Sequence, residues 1–259
     1  MKKILITGAN SYIGISFENY MKQWPEEYQV DTIDMIDGTW RNTNFGKYNT
    51  VYHVAGIAHI KENKQNAHLF YNINRDLAVE TVIKAKADGV KQFIYLSSMS
   101  IYGLVFGIIT KDTVPNPKSN YGKSKLQAEM LIRELSTDDF LISIIRPPMV
   151  YGKGCKGNYQ TLTNWATKLP IFPDFQNKRS MIEINVLCQF IKKLIDKDSS
   201  GIFYPQNASY VCTTEMVREI AAQNNHSIKL TRFFNPAIKV FRISIINKVF
   251  GDLIYKDME

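Results

Sequence analysis

The chain has 259 residues, 45% of them hydrophobic, 12% aromatic and 22% charged, with a formal net charge of +8. That length and apolar content suit one large core, or one core with a small appended lobe, and exclude a disordered tail or a small disulfide scaffold. The lysines are dispersed along the chain and not blocked together with aromatics, so the positive charge points to a small anionic partner and away from nucleic acid.

In chain order, "KKILIT" (residues 2–7) reads as a buried strand, and "TGANS" follows too soon for the apolar segment of an export signal. A helix over 13–24 carries Ile13, Phe17, Tyr20 or Met21 and Trp24 on one stripe. A strand at about 29–34 and another at 51–55 are separated by some sixteen residues that include the turn-rich "DGTWRNTNFGKYN", too few for a full helical crossover. The helix near 75–88 lines up Leu77, Val82 and Ala85, and Gly89 stops it. "KQFIYLSS" is a strand ending at Ser98, "YGKSKLQAEMLIREL" a helix, and "FLISIIRPP" the next strand.

Beyond about residue 152 the alternation weakens. Loops at "GKGCKGNYQ" and "KLPIFPDFQNKRS" precede a helix at 185–197, a strand near "GIFYPQ", a helix at 213–224 and a basic amphipathic stretch at 236–255. The expected fold is α/β: a Rossmann-type doubly wound parallel sheet over 1–152, and a smaller C-terminal substrate-binding lobe over 153–259, partly interleaved with it. The most hydrophobic late segment is broken by Arg242, Lys248 and Asp252, so no membrane span is expected. Cys155, Cys188 and Cys212 lie far apart without a C-x-x-C pair, and His59, His68 and His226 have no ligand spacing. A reduced, cytoplasmic setting and no metal are expected.

In an open parallel sheet the ligand sits beyond the carboxyl ends of the strands. Thr7, Gly8, Asn10, Ser11, Tyr12, Ile13 and Gly14 follow the first strand and open a helix, the setting in which backbone N–H groups and the helix dipole hold a pyrophosphate. A plain tight turn is the competing reading. Asp34 closes the second strand, where a carboxylate binds the ribose 2′-OH, so NAD(H) is the expected cofactor and NADP(H) the alternative. Tyr121 and Lys125, four residues apart on a helix, share a face. An ammonium there is expected to pull the phenol pKa down, with Ser98 bonding the oxygen that reacts and Tyr121 moving its proton. The competing reading is an aromatic–lysine pair on a solvated helix face.

"TGANSYIG", "HVAG", "NIN", "LSSMSIYG", "YGKSK" and "RPPMVYG", in this order and spacing, resemble an extended short-chain dehydrogenase/reductase of the NAD-dependent epimerase/dehydratase family over about residues 2–225. "GKGCKGNY" and "NKRSMI" resemble its branch of UDP-sugar 4-epimerases, 4-ketoreductases and UDP-N-acetylquinovosamine-type dehydrogenases of bacterial surface-polysaccharide pathways. The resemblance implies Ser98, Tyr121 and Lys125 as the catalytic group, and His53, Val54, Ala55 and Gly56 along the cofactor. It also implies Pro147 and Val150 beside the nicotinamide, and Asn72, Ser98, Ser100, Asn158 and Arg179 toward the sugar nucleotide, with Arg179 on the diphosphate.

Ser11 stands where the family loop has its middle glycine, Asn185 where many relatives have aspartate, and the chain ends at Glu259, sooner than the resemblance leads one to expect. Met99 and Ser100 replace the acidic pair that dehydratases carry after the catalytic hydroxyl, which argues against elimination. The implied function is NAD(P)-dependent oxidation or reduction at C4 of a UDP-hexose or UDP-N-acetylhexosamine. The alternatives are a UDP-sugar 4-epimerase with tightly held NAD and a non-catalytic NAD(P)-binding regulator. A monomer or homodimer is expected, and residues 236–255 form either a weak membrane-surface contact or a helix packed on the C-terminal lobe.

Overall fold

Strands and helices follow one another in the computed structural model, which describes residues 1–58, 60–240 and 244–258. Strand β1 (Lys2–Thr7) is followed by α1 (Tyr12–Met21), β2 (Tyr28–Ile33), β3 (Thr50–His53), α2 (Ala67–Tyr71), α3 (Leu77–Ala87), β4 (Gln92–Leu96), β5 (Gly107–Ile109), α4 (Asn120–Arg133) and β6 (Leu141–Ile145). Then come β7 (Met149–Tyr151), α5 (Asn158–Lys168), β8 (Ile171–Pro173), β9 (Met181–Glu183), α6 (Ile184–Asp196), β10 (Gly201–Phe203), α7 (Thr213–Gln223), β11 (Lys229–Thr231), α8 (Asn235–Val240), α9 (Ser244–Phe250) and β12 (Leu253–Tyr255). They form two compact units. One comprises Met1–Gly103, Pro115–Pro148 and Ile184–Pro205; the other comprises Leu104–Val114, Met149–Glu183 and Gln206–Glu259.

The first unit holds a six-stranded, all-parallel sheet in the order β2, β1, β3, β4, β6, β10. Strand order reverses between β1 and β3, and there Thr7 pairs with His53, which in turn pairs with Tyr95. The strand ends that border the crevice are therefore level. Ala78, Val82 and Ala85 of α3 and Ala128 and Ile132 of α4 pack on Leu5, Val51, Phe93, Ile142 and Ile144 in one core. This is the doubly wound architecture expected from the alternating pattern.

Several boundaries differ from expectation for local reasons. Helix α1 stops at Met21, so Trp24 lies beyond it, and the stripe buries Phe17 and Met21. The β2–β3 crossover contains a single 3-10 turn, Thr39–Asn42, and Trp40, Phe45 and Tyr48 fill the space a helix would take. The helix read over 75–88 begins earlier: α2 passes through a π turn, Asn72–Asp76, into α3. Beyond residue 152, helix α6 and strand β10 lie in the first unit. There β10 extends the sheet beside β6, and α6 buries Leu187, Ile191, Leu194 and Ile195, each worth about 1.5–3 kcal/mol relative to exposure.

The second unit contains three two-stranded parallel pairs, β7 with β9, β8 with β11 and β5 with β12. Its core joins Leu162 and Ala166 of α5 to Met216, Val217, Ile220 and Ala221 of α7. Helix α5 is rich in weak helix formers, Thr161, Thr163, Thr167, Asn158 and Asn164 among them, and this tertiary burial overrides weak propensity. The stretch 236–255 is not one amphipathic helix. It holds α8, α9 and β12, with the Phe250 ring 5.7 Å from Phe172 and 5.6 Å from Phe175. Leu253 and Tyr255 are buried, so these apolar residues serve the unit's own core. His59 and residues 241–243, Arg242 among them, lie outside the described residues. Among the described residues, no helix is long and apolar enough to cross a membrane.

Candidate active site

The loop after β1 is shaped by three positions. Gly8 has φ +110°, and a Cβ there would lie 2.8 Å from the Ala55 backbone nitrogen, so only glycine lets the loop approach the end of β3. Asn10 adopts the left-handed region at φ 66°. Ser11, by contrast, has φ −74° and needs no glycine; its Oγ accepts from the Gly14 amide at 3.1 Å as the N-cap of α1. A Cβ at Gly14 would meet Ser11 Oγ at 2.7 Å and the Ile6 and Val54 side chains at 3.3 Å. The turn is thus tied to the sheet, with Tyr12 and Ile13 in the first turn of α1. Gly8 and Ala9 donate to the Ile33 carbonyl at 3.0 Å, and Val54 and Ala55 to the Thr7 carbonyl at 3.1 and 2.9 Å. Asp34 directly follows Ile33, exposed, and its Oδ1 accepts from Ile36 N at 2.9 Å. A close-approach glycine, a capped helix start and a carboxylate at the next strand end together fit a dinucleotide.

Across the crevice, α4 lies directly on the 3-10 turn Met99–Tyr102, because a Cβ at Gly122 would come within 2.6 Å of the Ser100 carbonyl oxygen. That contact brings Tyr121 near Ser98, whose hydroxyl favours the ionised phenol. Ser100 holds the same serine: its amide and its hydroxyl each lie 3.1 Å from Ser98 Oγ. One turn further, Lys125 Nζ donates to the Leu96 carbonyl at 2.8 Å and stands 4.8 Å over the Tyr95 ring. A Cβ at Gly56 would lie 2.8 Å from Asn74 Oδ1 and 3.3 Å from Lys125 Nζ, so the end of the β3 segment closes on this lysine. Pro147 is joined to the serine loop through its carbonyl, which accepts from Met99 N at 2.9 Å.

The electrostatics differ from the sequence expectation. Burial brings Lys125 down to about 7, with Glu129 opposing the fall. The Tyr121 phenol is pushed up by burial, which outweighs the opposing effect of the Ser98 hydroxyl. The expected lowering by Lys125 is absent: Lys125 gives up its own proton at about 7 and is neutral at the pH where the phenol ionises. His53 is fully buried, its Nδ1 2.8 Å from Thr7 Oγ1, and burial followed by the Lys125 charge holds it neutral, down to about 3.

Three polar residues here escape a motif-based reading. Glu62 accepts from the Asn120 and Tyr121 amides, both at 3.0 Å, at the start of α4. Asn74, and not the exposed Asn72, is the buried asparagine of "NIN"; it bonds Ile57 N, Ile57 O and Ser124 Oγ at 2.9, 3.0 and 3.2 Å. Glu129, buried, pairs with Arg146. Of the three, only Glu129 has a local signal, four residues after Lys125.

The remaining candidates belong to the second unit. Asn158 is exposed at the start of α5, and Val150 is half-buried in β7. The Arg179 main chain pairs with Val211, while its guanidinium gives one N–H to the Gly251 carbonyl at 2.8 Å. Within this unit a cavity of about 410 Å³ is lined by Tyr151, Tyr159, Asn207, Tyr210, Glu215 and Glu219 among others, but not by Arg179 or Asn158. Among the described residues no group of three or more His, Cys, Asp or Glu is placed to hold a metal.

Residues 4–202 match the model of the NAD dependent epimerase/dehydratase family. The chain belongs to that family. A relative within it is the UDP-glucose 4-epimerase of Vibrio cholerae, 30% identical over 85% of this chain and 75% of that enzyme. The chain spans 50% and 64% of the lengths of two further relatives. Among solved structures, dTDP-4-dehydrorhamnose reductase of Bacillus anthracis in complex with NADP superposes with a TM-score of 0.72 at 22% identity, covering 89% of this chain and 83% of that one. UDP-glucuronic acid 4-epimerase of Bacillus cereus in complex with NAD does so with 0.72 at 20%, covering 88% and 85%. These two likenesses establish the fold of the family member described here.

Proposed function

We propose that this family member is an NAD(P)-dependent oxidoreductase acting at C4 of a UDP-linked hexose or N-acetylhexosamine, as a 4-ketosugar reductase or dehydrogenase in surface-polysaccharide synthesis. The observation that carries this reading is the approach of Tyr121 to Ser98, with Lys125 on the next turn of α4, at the strand ends beside a dinucleotide-shaped loop. When bound, the nicotinamide supplies the hydride for reduction at C4. Tyr121, kept protonated by burial, gives its proton to the ketone oxygen, and Ser98 donates a hydrogen bond to the same oxygen. Lys125, protonated below about 7, adds a positive charge beside the oxygen that becomes an alkoxide. Neither Met99 nor Ser100 offers an acid for elimination.

Thr7 to Gly14, Asp34 and Val54 to Gly56 would hold the cofactor, with Pro147 and Val150 at the nicotinamide. Asp34 favours NAD(H), since its carboxylate repels a 2′-phosphate. Arg41, the nearby cation, forks the Glu80 carboxylate, 2.6 Å from Nη2 to Oε2. Asn72, Ser100, Asn158 and Arg179 are the proposed contacts to the sugar nucleotide, Arg179 offering planar donors to phosphate oxygens.

The 30% identity to the Vibrio cholerae enzyme favours a second reading, 4-epimerisation with retained NAD, while the short β2–β3 crossover supports reduction. Native mass spectrometry of the purified protein, joined to NADH and NADPH titrations, separates them. A reductase releases an empty protein that binds NADH more tightly than NADPH. Stoichiometric retained NAD, with UDP-N-acetylglucosamine epimerised without added cofactor, would establish the epimerase.

A further inference from the structure

On α4, Tyr121, Lys125 and Glu129 recur every four residues and meet three consecutive residues at the end of β4: Ser98, the Leu96 carbonyl and Ser97. The third of these contacts plays no part in the chemistry proposed above. Glu129 is 1% exposed, accepts from the Ser97 hydroxyl, and is forked by Arg146, with Nη2–Oε2 at 2.6 Å and Nε at 3.2 and 3.1 Å from the two oxygens. Arg146, at the end of β6, also reaches the Tyr102 and Tyr204 hydroxyls at 2.9 and 3.2 Å. Burying such a pair carries a desolvation cost that well-packed apolar residues avoid, so stability alone is a weak reason for it.

The groups facing Lys125 identify another reason. They are Tyr121 and Glu129 on α4, His53 on β3 and the Tyr95 ring on β4, with Arg146 on β6 behind Glu129. His53 stays neutral, which leaves Glu129 as the acid among them. We propose that Glu129 is a positioning residue: its carboxylate pins Ser97, and with it the Ser98 hydroxyl, to α4, and keeps a negative charge facing Lys125. The positioning of Ser98 rests on the proposed catalytic role of that serine; the charge facing Lys125 does not.

The charge is tested without turnover. In protein labelled with [13C]lysine and free of nucleotide, the Lys125 Cε signal, assigned by its loss in Lys125→Met, is titrated in wild type and in Glu129→Gln. Removing the acid disfavours the ammonium, so the midpoint should fall by about one pH unit or more. A midpoint unmoved in a folded Glu129→Gln protein would overturn the proposal, since a merely structural residue changes melting but not this titration. Ser97→Ala, which leaves the Arg146 fork intact, gives the second arm and covers a Glu129→Gln protein that does not fold. With NADH and a UDP-4-keto-6-deoxy-N-acetylhexosamine, kcat should drop about tenfold with KM within about threefold of wild type, in line with a misplaced acid–base pair. Unchanged kcat would overturn the positioning, and a wild-type enzyme inert toward this sugar would count against the proposed function while leaving the lysine titration to decide the charge.

Discussion

Lys125 carries the most telling local physics. Its ammonium is buried with one carbonyl, one aromatic face and one nearby acid, and it releases its proton at about 7 instead of its ordinary 10.5. Between those two values the unfolded chain binds the extra proton, so this residue makes stability rise with pH. Its cost is present in full below about 7 and vanishes near 10.5. Lys125→Met has no such contribution and should melt higher than wild type at pH 7, the gap closing as pH approaches 10, by at most about 1.4 kcal/mol per pH unit. Thermal melts at three pH values check this, and a gap independent of pH would contradict the burial of a titrating lysine.

Helix α4 is the element on which the site depends. Ser119 caps it, its Oγ accepting from the Gly122 amide at 3.0 Å, while the Glu62 carboxylate takes two more of its first amides, as the helix dipole favours. Gly122 sets its distance from the serine turn. Gly122→Ala should leave the protein folded by circular dichroism but push α4 off the Ser100 carbonyl, lowering kcat at least about tenfold; unchanged kcat would show that the close contact is not needed. This helix was legible in the sequence because Tyr121 and Lys125 share a face at fixed spacing, and Gly8, Ser11 and Gly14 were legible because their roles are set within one turn. Glu62 was not, since it reaches α4 from 58 residues away. Asn74 was missed because two asparagines flank one isoleucine and burial alone distinguishes them. Helix α5 escaped for its weak helix propensity, although Tyr159, Leu162 and Ala166 follow a helical period.

At the scale of the molecule, the parallel sheet was legible because strand and helix periods alternate through the first 150 residues or so. The second unit was less so: its strands are three residues long and pair with partners far away in the chain, so local pattern carries little of its order. The chain's family is that of NAD-dependent epimerases and dehydratases, and the sugar carbon at which the proposed hydride transfer occurs is the claim on which the account turns. The direct measurement is NMR of the product formed from a UDP-4-keto-6-deoxy-N-acetylhexosamine with NADH deuterated at C4, once on each face of the nicotinamide, by wild type and Tyr121→Phe. The account predicts that one of the two cofactors leaves a single deuterium at sugar C4, with one NADH oxidised per 4-hydroxy product. In Tyr121→Phe turnover should fall about 10²–10⁴-fold while NADH still binds. NADH oxidation without deuterium at C4 from either cofactor, or a Tyr121→Phe enzyme that keeps most of its activity, would contradict it.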